Sequence, residues 1–143
     1  MTIASILAHK DSRVVSVGPG EDAVAIAATL TRHRIGAVLV RDGGGALLGI
    51  LSERDIVRAL AKDGPVALSM TARQLMTADI HTVRPNDTIH HALSEMTDRR
   101  IRHLPVVEDG MLVGMVSIGD LVKARISQVE EEAESLRAFV TAA

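Results

Sequence analysis

The sequence predicts an α/β (α+β) fold of two β-α-β-β-α repeats, packed face to face about a pseudo-twofold axis, with a long helix at the C-terminus. Three observations predict it. The chain repeats itself: shifted by 66, Val17 falls on Val83, Pro19 on Pro85, Arg34 on Arg100, Ile35 on Ile101 and Val40 on Val106. After a one-residue deletion near Gly43–Gly45 the shift becomes 65, and Leu47 meets Leu112, Gly49 Gly114, Ser52 Ser117, Asp55 Asp120 and Val57 Val122. Within each half, apolar spacing changes from strand-like to helix-like in the same order. Each half of the 143 residues is also too short to bury a good core alone, so the two must share one.

In chain order, a β-rich run at Val14–Val17 leads through a Pro-containing turn to a helix near Glu21–Arg32, with Ala23, Ile26, Ala27 and Leu30 as its buried stripe. Strands Ala37–Val40 and Ala46–Leu51 follow. They are joined by Gly43-Gly44-Gly45, which lacks the following Lys-Ser/Thr of a P-loop and sits where a hairpin turn belongs. A second helix opens at Ser52. Gly64 and Pro65 break the chain, and Ser69–Met76 is expected to be a short linking helix. The second half repeats the series: Ile80–Val83, a helix over Asp87–Arg99 burying Ile89, Ala92, Leu93 and Met96, strands Leu104–Val107 and Met111–Val116, and a helix from Ser117. Val122, Ile126, Val129, Ala133, Leu136 and Val140 then recur at 4-3-4-3-4 spacing, a seam that either pairs with a second copy or packs on its own module. The resulting boundaries are 1–66 for repeat 1 with its lead-in, 67–125 for repeat 2 with the linking helix, and 126–143 for the helical extension.

Composition removes several function classes. The chain is 47% hydrophobic but 1% aromatic, with Phe139 its single ring. Base-stacking nucleic-acid platforms, aromatic cages and sites that need a Tyr acid are therefore excluded. No cysteine is present, so there is no disulfide framework, thiolate metal site or Cys nucleophile. A net charge of −2 is too balanced for a general polyanion binder, and only the Arg99–His103 cluster argues for nucleic acid. Met1–Ala8 does not resemble an export signal, and no apolar run approaches the ~20 residues of a membrane span. The expectation is a cytoplasmic protein without a membrane or nucleic-acid partner.

The chemistry-bearing segments are Gly49-Ile50-Leu51-Ser52-Glu53-Arg54-Asp55 and Gly114-Met115-Val116-Ser117-Ile118-Gly119-Asp120. Ser-x-x-Asp before an apolar helix reads as a capping box, in which the Ser oxygen takes a free backbone N–H and the acid supports the first turn. The same geometry suits a nucleotide. A helix N-terminus offers unpaired N–H groups and partial positive charge, the hydroxyl reaches a sugar or phosphate oxygen, and a carboxylate accepts both ribose hydroxyls. Both readings stand on the sequence.

Over roughly residues 1–125 the doubled pattern resembles a tandem pair of CBS domains, often called a Bateman module. The resemblance rests on Ser16-Val17-x-Pro19, the Ile35–Val40 strand, both Gly-h-h-Ser-x-x-Asp segments and Ile101-Arg102-His103-Leu104-Pro105-Val106-Val107. It implies a non-enzymatic regulatory module that binds AMP, ADP, ATP, NAD or S-adenosylmethionine in clefts between the repeats. It implies further that Ser52 and Asp55 in one site, and Ser117 and Asp120 in the other, hold ribose or phosphate. Arg99, Arg100, Arg102 and His103 place three permanent charges and one imidazole within five residues, suited to phosphate. Related adenylate-binding modules carry a His/Arg pair at the last two places. Gly36-Ala37 replace that pair in repeat 1, where Arg54 is the substitute cation, so unequal sites are expected. Without aromatic rings, adenine must lie between aliphatic walls such as Val15, Val17 and Val38, or Ile80, Val83 and Leu104, with Ser16 and Thr82 alongside.

No catalytic constellation or metal site is expected, since adjacent His90 and His91 face different directions on a helix. Modules of this resemblance pair as flat dimers, so the expected partners are an adenosine nucleotide, a second copy and an effector protein. The alternative is a ligand-free dimeric structural adaptor whose Ser-x-x-Asp segments serve only as caps.

Overall fold

The computed structural model describes residues 1–10 and 14–142. In chain order its elements are α1 (Ile3–Ala8), β1 (Ser16–Val17), α2 (Ala23–His33), β2 (Ala37–Arg41), β3 (Leu47–Ser52) and α3 (Glu53–Asp63). A 3-10 turn (Gly64–Ser69) then leads to α4 (Ala72–Leu75), α5 (Ile89–Arg99), β4 (His103–Glu108), β5 (Met111–Ser117) and α6 (Ile118–Ala142). Two compact units result. One is Val14–Ile80, and the other joins the N-terminal segment to everything from His81 onward.

In the Val14–Ile80 unit, β1 pairs parallel with β2, and β2 pairs antiparallel with β3. Asp22 caps α2, its carboxylate accepting from Ala25 N at 2.9 Å. The helix ends at Arg34, a left-handed residue with φ 55°, and Ile35 N then donates to Leu30 O at 3.1 Å. A Schellman-type stop of this kind pulls an apolar residue back onto the last turn. Val17, Ala23, Ile26, Leu30, Val38, Val40, Leu51, Ala72 and Leu75 form the core. The stripe of α2 differs from expectation at one place: Thr29 is buried and Ala27 is exposed. Thr29 satisfies its hydroxyl on Ala25 O at 3.2 Å, which makes the polar residue tolerable there.

The other unit repeats this plan. Thr88 caps α5 by accepting from His91 N at 3.0 Å, Arg100 (φ 54°) ends it, and Ile101 N returns to Met96 O at 3.0 Å. Asp109 and Gly110, both at positive φ, make the tight turn of the β4–β5 hairpin. The expected first strand at Ile80–Val83 is absent as a named element, and only a parallel Val83–Val106 bridge remains. Proline explains the loss. In the first unit Leu39 N donates to Val15 O at 3.2 Å; Pro105 holds the equivalent place and has no N–H to give.

The linking segment also departs from a single helix over Ser69–Met76. The chain extends at Met70, and α4 starts afresh at Thr71, whose amide donates to Gln74 Oε1 at 2.9 Å. Each connecting segment packs within one of the two compact units. Helix α4 belongs with the first repeat: Ala72 N donates to Glu21 O (2.7 Å) and Arg73 N to Pro19 O (3.1 Å). Helix α1 belongs with the second repeat in the same manner, with Ile3 N on Asp87 O and Ala4 N on Pro85 O, both 2.9 Å. Each segment covers backbone groups ahead of a helix that the repeat itself leaves open.

Candidate functional site

Both Ser-x-x-Asp segments fold as capping boxes at the N-terminus of a long helix. In the first, Ser52 N donates to Asp55 Oδ2 at 2.9 Å, the Ser52 hydroxyl to the same oxygen at 3.2 Å, and Asp55 N to Ser52 Oγ at 3.3 Å. In the second, Ser117 N donates to Asp120 Oδ2 at 2.8 Å and Asp120 N to Ser117 Oγ at 3.2 Å. Each box faces the start of the preceding strand: Ala37 pairs with Ser52, and His103 with Ser117. The chain closes behind each in the same way, Glu53 N on Gly36 O (3.0 Å) and Ile118 N on Arg102 O (2.8 Å).

What covers the two boxes differs. Behind the first, Thr77 pairs with Ile50 through two backbone bonds, Thr77 N to Ile50 O at 2.8 Å and Ile50 N to Thr77 O at 3.0 Å. The Thr77 hydroxyl stands 3.5 Å from Asp55 Oδ1. Behind the second, Lys10 does both jobs with one ammonium group. Its Nζ donates to Met115 O, the counterpart of Ile50 O, at 2.8 Å, and to Asp120 Oδ2 at 2.6 Å. Sequence reasoning missed Thr77 and Lys10, because Lys10 stands 110 residues from Asp120 and no local pattern links them.

The electrostatics follow from this contact. Burial pushes the Asp120 carboxyl up, but Lys10 and the Ser117 groups outweigh it and hold the carboxyl below its usual value. Burial lowers the pKa of half-buried His103, and the charges of Lys10 and Arg102 lower it further against the opposing pull of Asp120. Together these effects favour the neutral imidazole. Arg102 and Arg100 are exposed, and Arg54 is exposed on the first turn of α3. Arg99 is engaged elsewhere: its Nε donates to Glu95 Oε2 at 2.7 Å and its Nη1 lies 3.3 Å from His81 Nε2. No three His, Asp or Glu side chains gather in a metal-binding group among the described residues.

The aliphatic walls need correction. Val17, Val38, Val83 and Leu104 are 4%, 0%, 1% and 0% exposed and belong to the two cores. A side chain spent on the core has no face left for a ligand, so only backbone is available at those four positions. Val15, Ile80, Ser16 and Thr82 retain exposure. No helix among the described residues is long and apolar enough to cross a membrane.

Comparison with known proteins agrees with this geometry. The CBS-domain profile matches residues 6–62 and again 72–127. The chain is 39% identical over 116 residues to the CBS domain-containing protein CBSX3, mitochondrial, of Arabidopsis thaliana, covering 78% of this chain but 56% of that one. The crystal structure of the CBS-domain containing protein ATU1752 from Agrobacterium tumefaciens superposes with a TM-score of 0.85 at 42% identity, covering 87% of this chain and 92% of the other. The CBS domain pair of protein MJ0100, solved with 5-methylthioadenosine and S-adenosyl-L-methionine, shares the fold at a TM-score of 0.79 and 23% identity, covering 90% of this chain and 98% of the other. The chain belongs to the CBS-domain family, as a tandem pair of the kind that serves as a regulatory module.

Proposed function

We propose that this CBS pair is a non-enzymatic sensor that binds an adenosine compound of the AMP, ADP, ATP or NAD class at its Ser-x-x-Asp boxes and relays the change to an effector protein. One observation carries the reading: the same box, at a helix N-terminus and facing a strand start, is built in both repeats. Such a box offers a ligand a carboxylate, a hydroxyl and a positive helix end together. The fold relative MJ0100, with its bound adenosine compounds, supports the same class of ligand. Sensing requires that ligand bind one arrangement better than another, since equal affinity shifts nothing.

A panel of AMP, ATP, NAD and S-adenosylmethionine in a thermal-shift assay tests this. At 100 times its Kd a ligand stabilises by about 2.7 kcal/mol. Asp55→Ala and Asp120→Ala should each remove one site's share of that shift, while each loses about 1 kcal/mol of capping. A second reading has its own support, because every bond of both boxes already serves a cap. A flat response to the whole panel would establish the ligand-free adaptor instead.

A further inference from the structure

We propose that Lys10 makes the Ser117/Asp120 box selective for phosphate-bearing ligands over uncharged nucleosides; this rests on the sensor reading above. The two repeats supply the comparison. In the first, the strand-edge carbonyl of Ile50 is satisfied by a neutral backbone amide, Thr77 N at 2.8 Å, and Asp55 forms no ion pair among the described residues. The fold therefore closes this edge without a cation. In the second repeat the equivalent Met115 carbonyl is satisfied by Lys10 Nζ, which brings a full charge to the carboxylate that would hold a ribose.

That charge has a consequence for any ligand. Two ribose hydroxyls on the Asp120 carboxylate need both of its oxygens, so one must compete for the Oδ2 that Lys10 and Ser117 N already share. An uncharged nucleoside displaces the ammonium from a half-buried place and offers it nothing in return. A phosphate offers it an anion, and the flexible lysine stem lets the group move from Asp120 to that anion while the ribose takes its place. His103, its pKa lowered, pairs with Ser117 across the strands, and the exposed Arg102 precedes it to strengthen the preference. Gly36 and Ala37 leave the first box without counterparts of Arg102 and His103.

The test uses the full chain carrying Asp55→Ala, which leaves the second box as the only one titrated. Calorimetric titration with AMP and with adenosine gives the ratio of their affinities for Lys10, Lys10→Gln and Lys10→Arg. Gln keeps a donor for the Met115 carbonyl, so the fold is preserved; Arg keeps the charge. The AMP-over-adenosine ratio should fall at least about tenfold in Lys10→Gln, as for loss of a charged hydrogen bond, and persist in Lys10→Arg. An unchanged ratio in Lys10→Gln overturns the proposal while leaving the sensor reading intact. So does complete loss of binding in the Asp55→Ala background when the parent chain binds. If the parent binds no adenosine compound, the sensor reading fails and this proposal falls with it.

Discussion

Replacing Gly49 by alanine should damage the protein far more than replacing its counterpart Gly114. At Gly49 an added Cβ would stand 2.6 Å from Met76 Sδ, 2.9 Å from Met76 Cγ and 2.8 Å from Thr77 O. Met76 can swing aside, but the Thr77 carbonyl is backbone, fixed by the paired bonds to Ile50. Relieving the clash requires a shift of roughly half an ångström in that bridge, costing about 1–3 kcal/mol of overpacking and about 1 kcal/mol for a weakened hydrogen bond. At Gly114 the added atom meets only Leu7, its Cδ2 at 2.8 Å and Cδ1 at 3.3 Å, the far end of a flexible side chain. About 1 kcal/mol covers that rearrangement. The gain from removing glycine's freedom in the unfolded chain, about 0.4–1 kcal/mol, applies to both and cancels in the difference. Gly49→Ala should thus lose roughly 2 kcal/mol more than Gly114→Ala, or about 6 °C in Tm for a chain of this size. Parallel urea and thermal denaturation by circular dichroism measures it. Equal losses, or a larger loss at Gly114, would refute the assignment of α4 and its following strand edge as the more rigid cover. The shift at Thr77 would also reach Asp55, so ligand response at the first box should weaken in Gly49→Ala.

His103 has its pKa lowered below the ordinary 6.5 by burial and by Lys10 and Arg102, against Asp120. A group depressed on folding binds more protons when unfolded, so its contribution is present above 6.5 and is lost as pH falls through the folded value. Melting curves between pH 8 and 5 should show a loss of stability that His103→Asn reduces, and an identical slope in that variant would exclude the imidazole as its source. The α6 seam is open, with Val122, Ile126, Val129, Leu136 and Val140 between 44% and 66% exposed, so packing on its own module does not account for it. Self-association through this face should give a dimeric mass in light scattering at micromolar concentration, and Ile126→Glu with Leu136→Glu should halve it; a monomeric parent chain would dispose of the idea.

Much of the architecture is legible in the sequence because it is written in local chemistry. Capping residues act over three positions, helix stripes over three or four, and hairpin turns over two, so Ser52 and Ser117 announce the helices that they cap directly. Duplication then doubles each signal, and the register of β2 with β3 repeats in β4 with β5 down to the bulge after Val40 and Val106. The Asp of each box was legible as a residue, since a cap and a ribose acceptor require the same geometry.

Tertiary structure alone decided the rest. Whether Val38 or Leu104 faces a ligand or the core depends on what lies across the sheet, and packing spends both on the core. Pro105 was visible, yet its effect on the first strand of the second repeat appears only when the missing N–H is set against Leu39 N in the first. The kinship of the lead-in and linking segments is hidden because Thr2-Ile3 and Thr71-Ala72 are related by a shift of 69, not 66. They dock by satisfying backbone groups near Pro85 and Pro19, a demand that any nearby segment can meet whatever its sequence. From that docking comes the ion pair on the second box, Lys10 on Asp120. The repeated Ser-x-x-Asp pattern specifies that two capping boxes are built. Only the fold, by choosing which distant segment closes each edge, sets a lysine ammonium on one of the two carboxylates.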